Sequence, residues 1–129
     1  MTHDIKYRVL VVEDEEIVRI IINDYLSMSG FDVYEYDQSP LALKHLEKEC
    51  VDIAIVDINM PEISGEKFIL SAIKICPKLQ FIIHTGDSDY QVTDSLREIG
   101  LSTNNVLTKP VEDMNIFKTT INLLMSQRS

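Results

Sequence analysis

The chain is poor in the residues that build a covalent scaffold or grip a polyanion. Its 129 residues include only two cysteines, Cys50 and Cys76. Their placement matches neither a metal-ligand spacing nor a disulfide framework, so both read as packing residues. No apolar run is long enough to cross a bilayer, and no leader-like segment opens the sequence; with the two thiols, this gives the expectation of a reducing cytosol. Lys and Arg number 12 against 21 Asp and Glu, for a formal charge of −9, and the basic residues are scattered. A nucleic acid or an anionic membrane surface needs a basic patch, so neither is expected as a direct partner. Repeats, low-complexity stretches and linkers are missing as well. A chain of this length, 45% apolar, can bury one core but not two, and residues 1–129 are expected to form a single domain.

What the sequence does contain is a regular alternation. Short runs rich in β-branched residues occur at Arg8–Val12, Asp32–Tyr36, Ile53–Val56, Phe81–His84 and Asn105–Thr108. The inner runs are continuously apolar, which suits strands of a parallel sheet covered on both faces. Between and after them apolar residues recur at helical spacing, as in Ile17, Ile21 and Tyr25, in Phe68, Ile69, Ala72 and Ile73, and in Phe117, Ile121 and Leu124. The last of these helices is expected over Val111–Ser129. Gly30, Pro40, Pro77 and Gly100 punctuate the helix ends. Five right-handed β-then-α units close most simply as a five-stranded, doubly wound parallel sheet with helices on both faces.

Chemistry-bearing residues stand at the ends of these strands. Glu13 and Asp14 follow the first, Asp57 the third, Thr85 the fourth, and Lys109-Pro110 the fifth. In an open α/β sheet, ligands collect outside the carboxyl ends of the strands, so three carboxylates, a hydroxyl and an ammonium are expected in one pocket. The first loop is acidic where a nucleotide- or flavin-binding protein would carry glycines and hydroxyls, so an anion needs an intervening cation there. Mg²⁺ suits hard carboxylate oxygens. Glu15 and Glu16 are assigned to helix capping, where acids favour the positive end of the helix dipole. A carboxylate such as Asp57 can serve as a nucleophile toward phosphorus, giving an acyl phosphate, when metal and cationic groups absorb the charge on the phosphoryl oxygens. His84 reads as structural, and His3 and His45 lie outside the pocket pattern.

The acid pair in Val11-Val12-Glu13-Asp14, the stretch Asp57-Ile58-Asn59-Met60-Pro61-Glu62-Ile63-Ser64-Gly65, Thr85-Gly86 and Lys109-Pro110, in this order and spacing, resemble the receiver domain of two-component response regulators over essentially the whole chain. The resemblance implies a flavodoxin-like three-layer sandwich. It implies that Asp57 accepts a phosphoryl group from a histidine of a sensor kinase or phosphotransfer protein, and that Asp14 and Asp57 ligate Mg²⁺ directly, with Glu13 acting through water and the Asn59 carbonyl completing the protein ligands. Thr85 would capture a phosphoryl oxygen, and Lys109 would pair with the phosphate or with the free carboxylate. The Lys109–Pro110 bond is expected to be cis, and dimerisation of the phosphorylated form is one expectation of the family.

Two departures from the family pattern stand out. Val106 occupies the place, three positions before Lys109, where many receivers carry an aromatic ring that turns inward on phosphorylation. Gly100–Asn105 is longer than the usual segment at that point, which favours an amino-terminal receiver of a longer protein over a stand-alone regulator. The signal is therefore expected in Gly86–Tyr90, where the fourth helix should begin, and in Gly100–Asn105. A phosphatase of the haloacid dehalogenase type also uses an aspartate after a strand, but it requires a second aspartate two residues on, where this chain has Asn59. A flavodoxin-like electron carrier lacks support in the acidic first loop, and a degenerate, unphosphorylated receiver is disfavoured by the complete set of Glu13, Asp14, Asp57, Thr85 and Lys109.

Overall fold

Residues 6–128 are described by a computed structural model. Strands Arg8–Val12 (β1), Asp32–Tyr36 (β2), Ile53–Asp57 (β3), Gln80–Thr85 (β4) and Val106–Thr108 (β5) alternate with helices Glu16–Met28 (α1), Ser39–Lys48 (α2), Gly65–Ile75 (α3), Asp94–Glu98 (α4) and Asn115–Ser126 (α5). All strand pairs are parallel, in the order β2-β1-β3-β4-β5. The expected doubly wound sheet is what forms.

The inner strands β1, β3 and β4 are largely apolar because both of their faces are covered. Leu10, Val12, Ala54, Val56, Phe81 and Ile83 pack with Leu46 of α2, Phe68 and Ala72 of α3, and Leu96 of α4. The alternate residues Val9, Val11, Ile53, Ile55 and Ile82 pack with Ile22 and Leu26 of α1 and with Phe117 and Ile121 of α5. Successive side chains of a strand point to opposite faces, so this alternation also fixes the polar residues at the strand ends. Glu13, Asp57, His84 and Lys109 continue the rows of Val11, Ile55, Ile82 and Leu107, on the α1/α5 side. Thr85 continues the row of Ile83, on the other side.

Several boundaries differ from the sequence pattern. β3 and β4 extend to Asp57 and Thr85, while Asn105 leaves its expected strand for a 3-10 turn, Thr103–Asn105. The Ser102 hydroxyl caps that turn by accepting from the Asn104 amide, and the Asn105 carboxamide accepts from the Ser102 amide in return. The fourth helix does not begin near Gly86–Tyr90. The Asp87 carboxylate accepts from the Asp89 amide in a tight local turn, and helix starts only where the Thr93 hydroxyl accepts from the Leu96 amide. The last helix starts at Asn115, whose amide donates to the Asp113 carboxylate, rather than at Val111, and Ser129 lies outside the described residues.

The two cysteines are a correction. They are joined as a disulfide, Cys50–Cys76, across a sequence separation of 26 residues, with Cα atoms 5.9 Å apart. Cys50 follows α2 and Cys76 caps the C-terminus of α3; parallel winding brings both to the end of the sheet where β3 begins. No local spacing encodes that meeting, because it depends on α2 and α3 lying side by side.

Candidate functional site

β1 and β3 are neighbours, and the chain order reverses between them, since β2 lies outside β1 while β4 and β5 lie outside β3. This switch point is where a crevice opens at the strand ends. Glu13 and Asp14 leave β1 there, and carboxylate oxygens of Glu13, Asp14 and Asp57 all lie within 4.8 Å of one another. Glu13 is 1% exposed and Asp57 5%, whereas Asp14 faces solvent.

Lys109 bridges the acids. Its Nζ lies 3.0 Å from Glu13 Oε1, 3.3 Å from Asp57 Oδ2 and 3.2 Å from Glu15 Oε1. It arrives there because its backbone N–H donates to the Thr85 carbonyl at 2.7 Å, extending the β4–β5 ladder by one rung; the Lys109–Pro110 peptide is cis. The other Asp57 oxygen, Oδ1, accepts from the Asn59 amide at 3.0 Å. Thr85 is fully buried, and its Oγ1 accepts from the Asp87 amide at 3.1 Å, which leaves its hydroxyl proton free to donate.

Close backbone packing sets the floor of the site. A Cβ on Gly65 would lie 2.6 Å from both the Asp57 carbonyl oxygen and Ile58 Cα. Only glycine lets α3 start against the strand end that carries Asp57. The Gly65 amide donates to the Ile58 carbonyl at 3.0 Å, closing the loop that holds Asn59.

Electrostatics follow from burial. Burial pushes the Glu13 carboxyl up from 4.5 to about 7, and the nearby Asp57 charge adds to this, against the pull of Lys109 and the Glu15 amide. Burial opposes charge on Lys109, but the Glu13 hydrogen bond and the charges of Glu13 and Asp57 outweigh it and hold the ammonium above its ordinary range. His84 is driven down from 6.5 to about 4 by burial and by the Lys109 charge.

The six residues named from sequence thus meet at one end of the sheet: Glu13, Asp14, Asp57, Asn59 and Lys109 around one acidic pocket, with Thr85 beside it on the β4 end. Sequence reasoning missed three neighbours. Glu15, assigned to capping, makes no side-chain cap and instead contacts Lys109. Arg19 donates from Nη1 to the Glu13 carbonyl at 2.9 Å. His84 pairs with Asp57 across the β3–β4 ladder, sits edge-on to Phe117 with ring centroids 5.2 Å apart, and brings Nδ1 to 3.8 Å from Glu13 Oε1. Its signal was a polar residue two positions after Ile82, on the row that leads into the pocket. His3 lies outside the described residues, and the His45 ring lies tilted against Tyr34 and edge-on to Tyr36, away from the site.

The response regulator receiver domain family matches residues 9–121. A probable chemotaxis protein CheY from Rhizobium etli is 31% identical over 109 residues, covering 81% of this chain and 82% of its own length. Regulatory protein VanRc from Enterococcus gallinarum is 24% identical, and the match covers 84% of this chain but only 46% of that protein. A solved receiver domain protein from Clostridium thermocellum shares 27% identity with a TM-score of 0.80, covering 94% of this chain and 95% of its own. The chain therefore belongs to the response regulator receiver domain family, whose members are signalling phosphoacceptors. Several of the curated relatives it matches are more than twice as long as the matched region, as with VanRc and a Vibrio cholerae sensor kinase/phosphatase of which 16% is covered. Among the described residues no helix is long and apolar enough to cross a membrane.

Proposed function

We propose that this chain is a cytoplasmic, single-domain phosphoacceptor switch in which Asp57 takes a phosphoryl group from a phosphohistidine of a sensor kinase or phosphotransfer protein. The observation that carries the reading is the state of the Asp57 carboxylate. One oxygen is held by the Asn59 amide, the other faces Lys109, and Glu13 and Asp14 stand beside it. A carboxylate oxygen of Asp57 attacks phosphorus as the phosphorus–nitrogen bond to the donor ring, protonated on its other nitrogen, breaks, leaving an acyl phosphate on Asp57 and a neutral imidazole on the donor. Lys109, already between the acids, turns its ammonium to pair with the incoming phosphoryl oxygens. Thr85 has its hydroxyl proton uncommitted and donates it to one of them, drawing the loop after β4 toward Asp57.

The donor set fits a hard divalent cation: carboxylates of Glu13, Asp14 and Asp57 lie together with an excess of negative charge around one ammonium, and the Asn59 carbonyl would add a further oxygen, as the family resemblance implies. Mg²⁺ held there supplies neutralising charge for the phosphoryl oxygens. Turnover beyond the chain's own phosphorylation and dephosphorylation has no support in the site. The haloacid dehalogenase type of phosphatase needs an acid where Asn59 stands, and Asn59 reaches Asp57 through its backbone amide. An output carried by contacts with other proteins, by a second copy after phosphorylation, or by a further domain of a longer protein is consistent with this switch, and nucleic acid is not a partner of this domain.

Incubation with Mg²⁺ and acetyl phosphate tests the reading. Intact-mass measurement should show one acid-labile phosphoryl adduct, lost in Asp57→Ala. No adduct on the native chain, or an adduct that survives in Asp57→Ala, refutes it.

A further inference from the structure

The Cys50–Cys76 pair has no part in phosphoryl chemistry and lies at the end of the sheet away from Asp57. Cys50 is exposed, while Cys76 is 3% exposed beneath α2. The chain on either side of Cys50 and the backbone of Cys76 are held by contacts that do not involve the bond between the sulfurs. On the Cys50 side, Glu49 pairs with Arg8, the Asp52 carboxylate accepts from the Arg8 amide at 2.8 Å, and Arg128 lies 3.0 Å from the other Asp52 oxygen. On the Cys76 side, the backbone N–H donates to Ala72 at 2.8 Å and the carbonyl accepts from Leu79 at 3.0 Å. Cα atoms 5.9 Å apart suit a disulfide without backbone movement. The reduced state is also accommodated: Cys76 Sγ lies 3.8 Å from the Leu46 carbonyl oxygen, so its thiol has an acceptor when no bond is made.

A site satisfied in both states, with one sulfur reachable and the other shielded, is built for exchange rather than for permanent cross-linking. In the reducing compartment that the proposed function assigns to this chain, disulfides that do form are usually transient and serve catalysis or redox sensing. We propose that Cys50 and Cys76 form a reversible thiol–disulfide site whose oxidant is a low-molecular-weight disulfide and whose reductant is the corresponding thiol. The Cys50 thiolate attacks one sulfur of the small disulfide, releasing one small thiol and leaving a mixed disulfide on Cys50. Cys76, on losing its proton, attacks the Cys50 sulfur, forms the Cys50–Cys76 bond and expels the second small thiol. The two cysteines lose two electrons together and the small disulfide gains them. Closing the bond ties the C-terminal end of α3 to the end of α2. The N-terminal end of the same α3 rests on the backbone of Asp57 through Gly65, so the tie and the acidic pocket sit at opposite ends of one 11-residue helix.

Equilibrating the full chain in buffers of reduced and oxidised glutathione, followed by acid quench, alkylation in denaturant and intact-mass measurement, tests the proposal. The expected result is a sharp conversion from two alkylated cysteines to none, in monomer, reversed by excess thiol. Oxidised protein should melt about 10 °C above reduced protein, as expected for closing a loop of this length. Amide exchange across Ser39–Lys48 and Gly65–Ile75 should slow severalfold. Cys50→Ser, a change at an exposed site, should fold and lose both responses. Conversion that stops at a glutathione adduct, cross-linking only between chains, or equal melting of the two forms overturns the proposal. These readouts involve thiols and stability alone, so their failure leaves the phosphoacceptor reading standing, and failure of that reading leaves them untouched.

Discussion

Substituting Glu13 by glutamine and, separately, His84 by leucine should uncover a pH dependence that the native protein conceals. In the unfolded chain near pH 5.5 the histidine carries a proton and the glutamate does not. In the folded chain, burial reverses both: the Glu13 carboxyl titrates at about 7 and the His84 ring at about 4. Between roughly pH 4.5 and 6.5 each state therefore binds one proton on this pair. Folding moves that proton from imidazole to carboxyl without changing the number bound, and by linkage the pair contributes no slope to stability. Taken singly, the signs are opposite. The raised Glu13 favours folding fully below 4.5, and that contribution is lost as pH rises to 7. The lowered His84 penalises folding at low pH, and the penalty is relieved as pH rises from 4 to 6.5. Each displacement corresponds to about 3 kcal/mol if fully expressed.

Urea titrations in chelator at half-unit steps from pH 4 to 7.5 read the effect as a difference from native protein. His84→Leu should lose stability relative to native as pH rises through this window, by about 3 kcal/mol. Glu13→Gln should gain by a similar amount. Differences that stay constant with pH in both variants would falsify the assignment of the proton to Glu13. Slopes of the reverse sign would show an ionised Glu13 facing a charged His84.

Three further outcomes follow from the same geometry. Mg²⁺ binds only the folded arrangement of Glu13, Asp14 and Asp57, so at a hundred times its dissociation constant it should stabilise the chain by about 2.7 kcal/mol. Binding at pH 6 should also release a proton from Glu13; identical melts in Mg²⁺ and chelator, or an unchanged response in Asp14→Ala, would count against the site. Gly65→Ala drives a methyl into the Asp57 carbonyl and should cost about 2 kcal/mol through forced overpacking, whereas a neutral effect in thermal melts would show that α3 can slide. With Mg²⁺ and beryllofluoride, amide exchange should change in Gly86–Tyr90 and Gly100–Asn105, since Val106 is too small to report the movement of Thr85; a response confined to the neighbours of Asp57 would mean that no switch propagates there.

The sheet was legible in the sequence because every inner strand is an unbroken apolar run and each run ends in a polar residue. The same feature placed Asp57 and Lys109 together, since strand ends in a parallel sheet converge by topology alone. Helix limits were less legible. Val92, Leu96 and Ile99 keep helical spacing, yet the Asp87 turn and the Thr93 cap shorten α4 to five residues, and side-chain caps compete locally with a periodicity that only tertiary burial enforces. Glu15 was read as a helix cap because the dipole rewards an acid there; its actual partner, Lys109, is 94 residues away. The cysteine pair was hidden for the same reason, as its closure depends on two helices packing side by side and leaves no trace in spacing.

The segment Gly100–Asn105 before β5 bears on the open margin of the sheet. β5 is three residues long and pairs only with Ile83, His84 and Thr85, so the first half of β4 has no strand beyond it. Asn105 takes the place of the missing strand there: its carboxamide nitrogen donates to the Phe81 carbonyl at 2.8 Å, deep under the turn. A single side chain thus supplies a rung of the ladder, and the turn it belongs to lies over the margin. An uncovered parallel edge is a template on which another chain can add a strand. The turn denies that template along the first half of β4, so the open margins of this sheet are confined to its outer strands, β2 and the short β5.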